Sequence, residues 1–311
     1  MSLWTCLKRW GERPLVSFFL SRLAWPVYRC ARTVVQRVPW TIRVNGGTVD
    51  FDGIPLKFPI NVGITYCTLG WWQGAGGYEP ATWRVIKSYV QHADVFWDVG
   101  SNIGLYAVLA KKLKPALHVE AFEPVPSLAE ANRKFQQANQ TGVVPRQVAV
   151  SDHGNGAEIS IPKYSDVTEV EPTASLEKQV NLSPGASVNV ERVDTVMLDA
   201  LADTLKPTDR LFIKIDVEGH ENHVLTGTRN LLASHRPAIL CEILPGVAHT
   251  REIAAILSEA RYVLLAICRE GLFHIDPLDM DKPRSFTDYL LVPSEQMKAS
   301  ARYVPFGELP L

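Results

Sequence analysis

The chain of 311 residues has few cysteines, and their spacing excludes two classes of protein. The five lie far apart, with no C-x-x-C pair among them, at positions 6, 30, 67, 241 and 268. We therefore expect neither a disulfide framework nor a zinc cluster, and the expected location is a reducing cytoplasm. Net charge is also nearly absent, at −1, so the composition gives no reason to expect nucleic acid as a partner.

Long apolar runs are absent as well, and the most hydrophobic stretch near the N-terminus, LVSFFLSRLAWPVY, is interrupted by Arg22. It is too short and too charged to span a bilayer, and no signal-peptide cleavage site follows it. Residues 1–43 are nevertheless basic and aromatic. They predict a helical extension that lies on an anionic membrane surface, at the inner face of the membrane, or docks on a partner. The alternative is that the extension packs on its own catalytic domain.

The dinucleotide fingerprint G-x-G-x-x-G is missing from the turn that follows the apolar strand VFWDV. That turn reads D-x-G-x-N-x-G instead, with Asp98, Gly100, Asn102 and Gly104. The glycines allow a ligand to approach the backbone closely. A carboxylate here would repel a pyrophosphate but suits the ammonium and sulfonium groups of S-adenosylmethionine. The alternative is that Asp98 caps the next helix and the glycines only form a tight turn.

Apolar strands alternate with amphipathic helices over most of the chain, and the helix after the glycine turn is predicted to begin near Ile103. The seven predicted strands have the sequences VFWDV, HVEAFE, VVPRQVAVS, RLFIKIDVEG, PAILCEI, YVLLAICR and DYLLVP. This alternation predicts an α/β fold with helices on both faces of a mostly parallel, Rossmann-like sheet that ends in an antiparallel hairpin. It is the architecture of class I methyltransferases.

The composition predicts four parts, of which the N-terminal extension is the first. Residues 44–77 predict a small region of strands and turns, with a hairpin followed by a glycine-rich loop in WWQGAGG. Residues 78–295 are the predicted methyltransferase domain, and residues 296–311 a C-terminal tail. A polar insertion at 153–209 is predicted to form a substrate wall or lid, the alternative being a surface hairpin.

Carboxylates follow four of the predicted strands. They are Glu123, Asp152, Asp216 with Glu218, and Glu242. Because the carboxyl ends of parallel strands meet at one edge of a sheet, we expect these side chains to converge around Asp98. Glu123 is placed to accept hydrogen bonds from ribose hydroxyls, and Asp152 from the adenine amino group. The alternative for Asp152 is an ordinary turn acid.

The segment KIDVEGHE carries a dense set of titratable groups directly after an apolar strand. Asp216, Glu218 and His220 are candidate catalytic residues, since methyl transfer to a hydroxyl needs groups that orient and deprotonate the acceptor. Lys214 lies inside the strand, where a buried ammonium requires a carboxylate partner.

Two other interpretations of these acids stay open. Glu218 and Glu221 are positioned to cap the next helix, which is a structural role. Asp216, Glu218 and Glu242 offer oxygen ligands that suit magnesium, although we expect no metal.

Five segments together resemble the FkbM-type methyltransferases. They are, in chain order, DVGSNIGLYAVLA, AFEPVPSLAEANRKFQQAN, VAVSD, VERVDTVMLDAL and IKIDVEGHENHVLTG. The resemblance implies a class I fold, S-adenosylmethionine as methyl donor, and O-methylation of a sugar or natural-product hydroxyl. It also implies that Asp98, Gly100, Asn102 and Gly104 contact the methionine part of the cofactor, and Glu123 its ribose.

Two positions depart from the pattern of that family, and the acceptor is not specified by it. Ser101 stands where the family usually has alanine, and His220 where it usually has a small residue. We expect a glycan, glycolipid or natural-product acceptor, with membrane-associated glycans favoured by the basic extension. The rival functions are a non-catalytic protein that binds a membrane or a partner, and a nicotinamide-dependent oxidoreductase, which would lack its fingerprint.

Overall fold

A computed structural model describes residues 44–74, 77–163, 187–246, 249–280, 286–297 and 302–309. The predicted extension over residues 1–43 and the centre of the predicted insertion lie outside these ranges, so the roles given to them stay predictions. Within the ranges, no helix combines the length and the apolar content needed to cross a membrane.

The described residues form α-helices and β-strands in an alternating order. Helices α1 to α7 span Ile64–Gln73, Pro80–His92, Leu105–Leu113, Pro126–Asn139, Glu221–Thr226, Arg229–Ser234 and Thr250–Ala260. Strands β1 to β8 span Gly47–Phe51, Ile54–Phe58, Val95–Val99, His118–Phe122, Val144–Arg146, Ala149–Val150, Ala157–Lys163 and Ser187–Val193. Strands β9 to β15 span Thr195–Val196, Leu211–Ile215, Ala238–Glu242, Tyr262–Ile267, Leu272–Ile275, Asp288–Pro293 and Tyr303–Val304. Short 3-10 turns span Leu198–Thr204, Pro277–Asp279, Ser294–Gln296 and Phe306–Glu308.

The central sheet has the order β15-β13-β12-β14-β11-β10-β3-β4-β5. Strands β11, β10, β3, β4 and β5 are paired in parallel, whereas β14 is antiparallel to both of its neighbours, β11 and β12. Every residue of β3 and β10 is buried, as expected for strands covered by helices on both faces. The predicted α/β fold of the class I methyltransferases, with its antiparallel hairpin, is confirmed.

Over the residues that the structure describes, the sheet contains nine strands rather than the seven predicted. Strands β13 and β15 extend one edge, and β15 lies inside the segment predicted to be a tail. Both are short, and the alternation of β13 is weak because Phe273 and His274 are both exposed. The third predicted strand is also divided. Its second half, β6, lies outside the central sheet and pairs with β9. Pro145 in β5 has no N–H, so it cannot donate a hydrogen bond that would lengthen the pairing of β5 with β4.

One compact unit comprises the described residues up to Pro80 together with residues 133–140. Asn139 joins these two parts, since its Oδ1 accepts from the Lys57 backbone N–H at 2.9 Å and its Nδ2 donates to the Lys57 carbonyl at 2.9 Å. Residues 133–140, which lie inside the predicted methyltransferase domain, thus belong to the same compact unit as the hairpin β1–β2.

The predicted hairpin of this unit is present, but the first three residues of the predicted loop WWQGAGG are helical. Strands β1 and β2 are joined by Asp52 and Gly53, both at positive φ, as two-residue hairpin turns require. The tryptophans of WWQGAGG belong to helix α1, because Cys67 and Trp72 supply the helix with a buried face. The helix ends at Gln73, and Gly74 is its C-cap residue.

The other compact unit holds the central sheet and the hairpin β7–β8, which belongs to the described part of the insertion. In the sheet, β3 and β10 are neighbours. The strands that follow β3 in the chain, β4 and β5, lie on one side of this pair, and β11, which follows β10, lies on the other side. A doubly wound sheet binds ligands at such a switch point, beyond the carboxyl ends of the strands. The ends of β3 and β10 therefore mark the candidate site.

Candidate active site

The glycine turn after β3 adopts a backbone that few side chains tolerate. Gly100, Asn102 and Gly104 have φ of 74°, 53° and 81°. Because of this left-handed backbone, helix α3 begins at Leu105, two residues after the predicted start. A Cβ at Gly100 would lie 1.7 Å from the Asp216 carbonyl oxygen, so the end of β10 packs directly against the turn.

Asp98 lies at the carboxyl end of β3 and is 1% exposed. Its Oδ2 accepts a hydrogen bond from the Ala107 N–H in the first turn of α3, at 3.2 Å, so the helix-capping alternative is partly right. Its Oδ1 is buried and has no hydrogen-bond partner among the described residues. Burial raises the pKa of Asp98 to about 6, although the charge of Lys214 acts in the opposite direction. A buried, unsatisfied carboxylate oxygen of this kind suits an ammonium group.

Glu123 follows β4 and is fixed by two backbone N–H groups. Its Oε2 accepts from Asn102 at 2.8 Å, and its Oε1 accepts from Val125 at 2.9 Å. An ionised carboxylate has about four lone-pair sites, so capacity remains for two hydroxyl donors such as those of a ribose. Burial raises the pKa of Glu123 to about 7, although the two N–H groups favour its charged form.

Asn132, on helix α4, supports the glycine turn and was not predicted as a site residue. Its Nδ2 donates to Ser101 Oγ at 3.0 Å and to the Asn102 carbonyl at 3.2 Å. A Cβ at Gly104 would lie 2.7 Å from Asn132 Oδ1. The serine that replaces the usual alanine of the FkbM pattern therefore adds a hydrogen bond to the turn.

Three carboxylates converge at the ends of β10 and β11. Asp216, Glu218 and Glu242 each place one oxygen so that all three lie within 4.8 Å of one another. All three side chains are half-buried, so a ligand can reach them. The predicted convergence of strand-end acids is thus observed for these residues. The same spacing suits a metal ion, so magnesium stays an alternative.

The charges within this carboxylate cluster are unequal. Lys214 Nζ lies 2.8 Å from Asp216 Oδ2, which confirms the predicted carboxylate partner of the buried lysine. Burial opposes ionisation of Asp216, but Lys214 outweighs it and holds the pKa of Asp216 below its ordinary value. Glu242 is hydrogen-bonded to Asp216, and burial together with the charges of Asp216 and Asp288 raises the pKa of Glu242 to about 10. The proton shared by the pair therefore resides on Glu242.

Glu218 has a strained backbone, with φ of 55°, next to Gly219 at 104°. Burial raises the pKa of Glu218 to about 7, and the charges of Asp216 and Glu221 act in the same direction. Glu221 has a structural position, because its Oε1 accepts from the Gly219 N–H at 3.0 Å and the Val217 N–H at 3.4 Å. These two bonds hold the turn that precedes α5 rather than the first turn of the helix, and Glu218 stays a catalytic candidate.

The remaining predicted residues, Asp152 and His220, belong to a second polar group beside the strand ends. Asp152 Oδ2 accepts from His223 Nδ1 at 2.9 Å, and its Oδ1 accepts from Ser151 Oγ at 3.2 Å. His220 Nε2 lies 3.0 Å from Ser151 Oγ, and its ring stacks on His223 at 4.3 Å. His220 thus contacts the Ser151 hydroxyl, which in turn donates to Asp152. Its predicted catalytic role and the predicted adenine contact of Asp152 stay predictions.

The comparison with known families agrees with this geometry. Residues 98–264, more than half of the chain, match the family described as Methyltransferase FkbM domain. The chain belongs to the FkbM methyltransferase family. It is therefore an S-adenosylmethionine-dependent methyltransferase, as its sequence pattern predicted.

Two curated relatives are similar to this chain over more than half of its length. The hexuronic acid methyltransferase AglP of Haloferax volcanii is 29% identical over 178 residues, covering 57% of this chain and 67% of the relative. The 31-O-demethyl-FK506 methyltransferase FkbM of Streptomyces tacrolimicus is 26% identical over 208 residues, covering 58% and 79%.

Two solved structures that align with this chain are less similar to it in sequence than these relatives. Methyltransferase FkbM from Methylobacillus flagellatus KT is 15% identical with a TM-score of 0.39, and the alignment covers 64% of this chain and 43% of that one. The O-methyltransferase from Bacillus cereus in complex with SAH is 14% identical with a TM-score of 0.38, covering 69% and 80%.

The site of this FkbM methyltransferase fits a cationic cofactor that carries a ribose. Asp98 Oδ1 would accept from the ammonium group of S-adenosylmethionine, and Glu123 from the ribose hydroxyls. Gly100 gives the backbone room that a side chain would fill. Asp98 must be ionised to attract the positive charge of the ammonium group, and Glu123 must be ionised to accept hydrogen bonds from both ribose hydroxyls.

Cofactor affinity is expected to depend on pH, because the pKa values of Asp98 and Glu123 are raised to about 6 and about 7. Below these values the acids are neutral, so binding must release protons and the affinity falls as the pH falls. We expect the dissociation constant for S-adenosylmethionine to rise at least ~10-fold from pH 7.5 to pH ~5. Calorimetry in two buffers of different ionisation enthalpy would measure the released protons. An affinity that is constant over this range, or unchanged by Glu123→Gln, would contradict the assignment.

Proposed function

We propose that this enzyme transfers the methyl group of S-adenosylmethionine to a hydroxyl group of a sugar, in a glycan, a glycolipid or a natural product. The observation that carries the proposal is the carboxylate cluster, which lies against the glycine turn through the contact of Gly100 with Asp216. Carboxylates can orient a hydroxyl and take its proton, which O-methylation requires. The names of AglP and FkbM, one giving a hexuronic acid and one an oxygen atom as the target, support this choice.

The first task of the protein is to hold both reactants. When bound, S-adenosylmethionine supplies a methyl group attached to a positively charged sulfur. Asp98 and Glu123 hold the ammonium and ribose ends, and Asn132 keeps the turn between them in place. Fixing the two reactants in line contributes up to about 7–11 kcal/mol to lowering the barrier.

The second task is to receive a proton from the acceptor hydroxyl. Glu218 suits this role, because its pKa of about 7 is close to the working pH of a general base. Asp216, which Lys214 keeps ionised, accepts a hydrogen bond that orients the hydroxyl. As the hydroxyl oxygen bonds to the methyl carbon and the carbon–sulfur bond breaks, the proton moves to Glu218.

The proposal is tested first by calorimetric titration with S-adenosylmethionine, S-adenosylhomocysteine and NAD. We expect micromolar binding of both adenosyl ligands and at least ~10-fold weaker binding by Asp98→Ala, since a hydrogen bond to a charged group is worth ~1.5–3 kcal/mol. Asp94→Ala is the matched control, because Asp94 directly precedes the same strand but pairs with Arg210 on the surface. Glycan acceptors and labelled donor would then show the methylated product.

Preference for NAD would favour the oxidoreductase. Adenosyl binding without transfer to any carbohydrate or natural-product hydroxyl would favour the non-catalytic binding protein. The basic segment 1–43 leads us to propose surface glycans or glycolipids, reached from the cytoplasmic face, as the first acceptors to test.

A further inference from the structure

Two histidines at the start of α5 surround Asp152, the acid predicted to meet the adenine of the cofactor. His223, on the helix, lies with Nδ1 2.9 Å from Asp152 Oδ2. His220, which directly precedes the helix, lies with Nε2 3.0 Å from Ser151 Oγ. Ser151 Oγ in turn donates to Asp152 Oδ1 at 3.2 Å. Each oxygen of Asp152 therefore receives a hydrogen bond from a different side chain.

The donors and acceptors of this group fix the positions of its protons. Burial opposes the ionisation of Asp152, but His223 and Ser151 outweigh it and hold the pKa of Asp152 below its ordinary value. An ionised carboxylate only accepts hydrogen bonds, so His223 carries its proton on Nδ1. A hydroxyl has one proton, and Ser151 gives it to Asp152, so His220 Nε2 must be the donor toward Ser151 Oγ. Both imidazoles thus act as N–H donors.

The surroundings of Asp152 are fixed, while its carboxylate is open to a ligand. The rings of His220 and His223 stack with centroids 4.3 Å apart. Ser151 is fully buried, and a Cβ at Gly227 would lie 2.2 Å from its carbonyl oxygen, so the end of α5 packs directly on it. The side chain of Asp152 is nevertheless 30% exposed. Since an ionised carboxylate has about four lone-pair sites, it can accept a further hydrogen bond from a ligand.

Asp152 lies between the elements that carry the two parts of the site. It comes shortly after Arg146 of β5, whose carbonyl accepts from the Glu123 N–H at 3.0 Å. It also contacts α5, which begins shortly after Glu218, through His223. A ligand that is held by Glu123 through its ribose can therefore bring its base to Asp152.

We propose that His220 and His223 are positioning residues that hold Asp152 so that it accepts a hydrogen bond from the amino group of the cofactor's adenine. His223 acts directly, and His220 acts through Ser151. His220, which stands where the FkbM pattern usually has a small residue, thus adds a donor to the cofactor site and does not act on the acceptor hydroxyl. The inference extends the predicted adenine contact of Asp152. Of the proposed function it rests on the methyl donor alone, and it is independent of the sugar acceptor.

Calorimetric titration of the full chain tests the inference with two ligands. One is S-adenosylhomocysteine, and the other is its analogue in which hydrogen replaces the adenine amino group. The two ligands differ in one hydrogen-bond donor, and no acceptor is needed. We expect the wild-type chain to bind the amino compound at least ~10-fold more tightly, because the analogue loses a hydrogen bond to a charged group. Asp152→Asn should reduce this ratio to ~3-fold or less, since a neutral amide accepts a weaker bond.

Four histidine variants distinguish the donated hydrogen bond from packing. Asparagine places an amide nitrogen near the position of imidazole Nδ1, and glutamine near that of Nε2. We expect His223→Asn and His220→Gln to keep the wild-type ratio within ~2-fold, and His223→Leu and His220→Leu to lower it at least ~3-fold. His249→Leu is the control, because this ring lies 6.5 Å from His223 and next to Glu252, and it should leave the ratio unchanged. Thermal unfolding identifies a leucine variant that does not fold, and Ser151→Ala, which removes only the relaying hydroxyl, then replaces it.

The outcomes are distinguishable. A wild-type ratio near one overturns the inference, because Asp152 would not meet the amino group. A ratio that both leucine variants keep also overturns it, as does a ratio that the leucine and the conservative variants lose equally, since the N–H donors would then have no effect of their own. If the ratios change as expected but no sugar hydroxyl is methylated, the inference stands and the proposed function fails.

Discussion

Replacing Glu218 by glutamine is expected to lower kcat by about 10²- to 10⁴-fold, because glutamine cannot take the proton of the acceptor hydroxyl. Glutamine keeps the size of the side chain, so the strained turn at φ 55° is left without a change of shape. Cofactor affinity should change little, since Asp98 and Glu123 hold the cofactor. The measurements are steady-state methyl transfer and calorimetric cofactor binding. Glu270→Gln is the control, because Glu270 is an exposed acid on the loop between β12 and β13.

The pH profile distinguishes a base from a structural acid. Glu218 acts only when it is ionised, so the wild-type kcat should rise with pH through about 7, the raised pKa of this group. The variant should lose that rise. Full activity in Glu218→Gln, or an unchanged profile, would assign the proton to another group and leave Glu218 with the capping role.

The sequence predicted those parts of the site that depend on neighbouring residues. Asp98, Gly100 and Glu123 lie at the ends of strands whose apolar runs are visible in the chain, so their meeting follows from the parallel sheet alone. Tertiary packing alone brings Asn132 to the glycine turn. It also places the Thr82 hydroxyl against the carboxylate of Asp288. Thr82 and Asp288 are 206 positions apart, and neither belongs to a local pattern that marks a site.

The errors in the predicted fold have the same origin. Strand β15 is two residues long, too short for a recognisable period, and only its pairing with β13 makes it part of the sheet. The glycines that follow Trp71 and Trp72 in WWQGAGG predict a loop at these positions. The burial of Trp72 outweighs that local signal and extends α1 to Gln73.

Replacing Gly100 by alanine is expected to abolish measurable cofactor binding and to destabilise the fold. Two effects combine at this position. The left-handed backbone, with φ of 74°, costs an alanine about 1–2 kcal/mol. The new Cβ would also lie 1.7 Å from the Asp216 carbonyl oxygen, so the end of β10 or the turn itself must move.

The matched control for this variant is Gly53→Ala, which separates the backbone effect from the clash. Gly53 has φ of 81°, but a Cβ there would meet nothing within 4 Å. We expect this control to lose only about 1–2 kcal/mol of stability and to keep its cofactor affinity. Gly100→Ala should lose several kcal/mol more of stability than the control. Thermal unfolding measures this loss, because each kcal/mol lowers Tm by about 2–4 °C. Because Asp216 belongs to the carboxylate cluster, its displacement should also stop methyl transfer. Equal losses in both variants would show that the turn can move away from β10, and that close packing between them is not needed for catalysis.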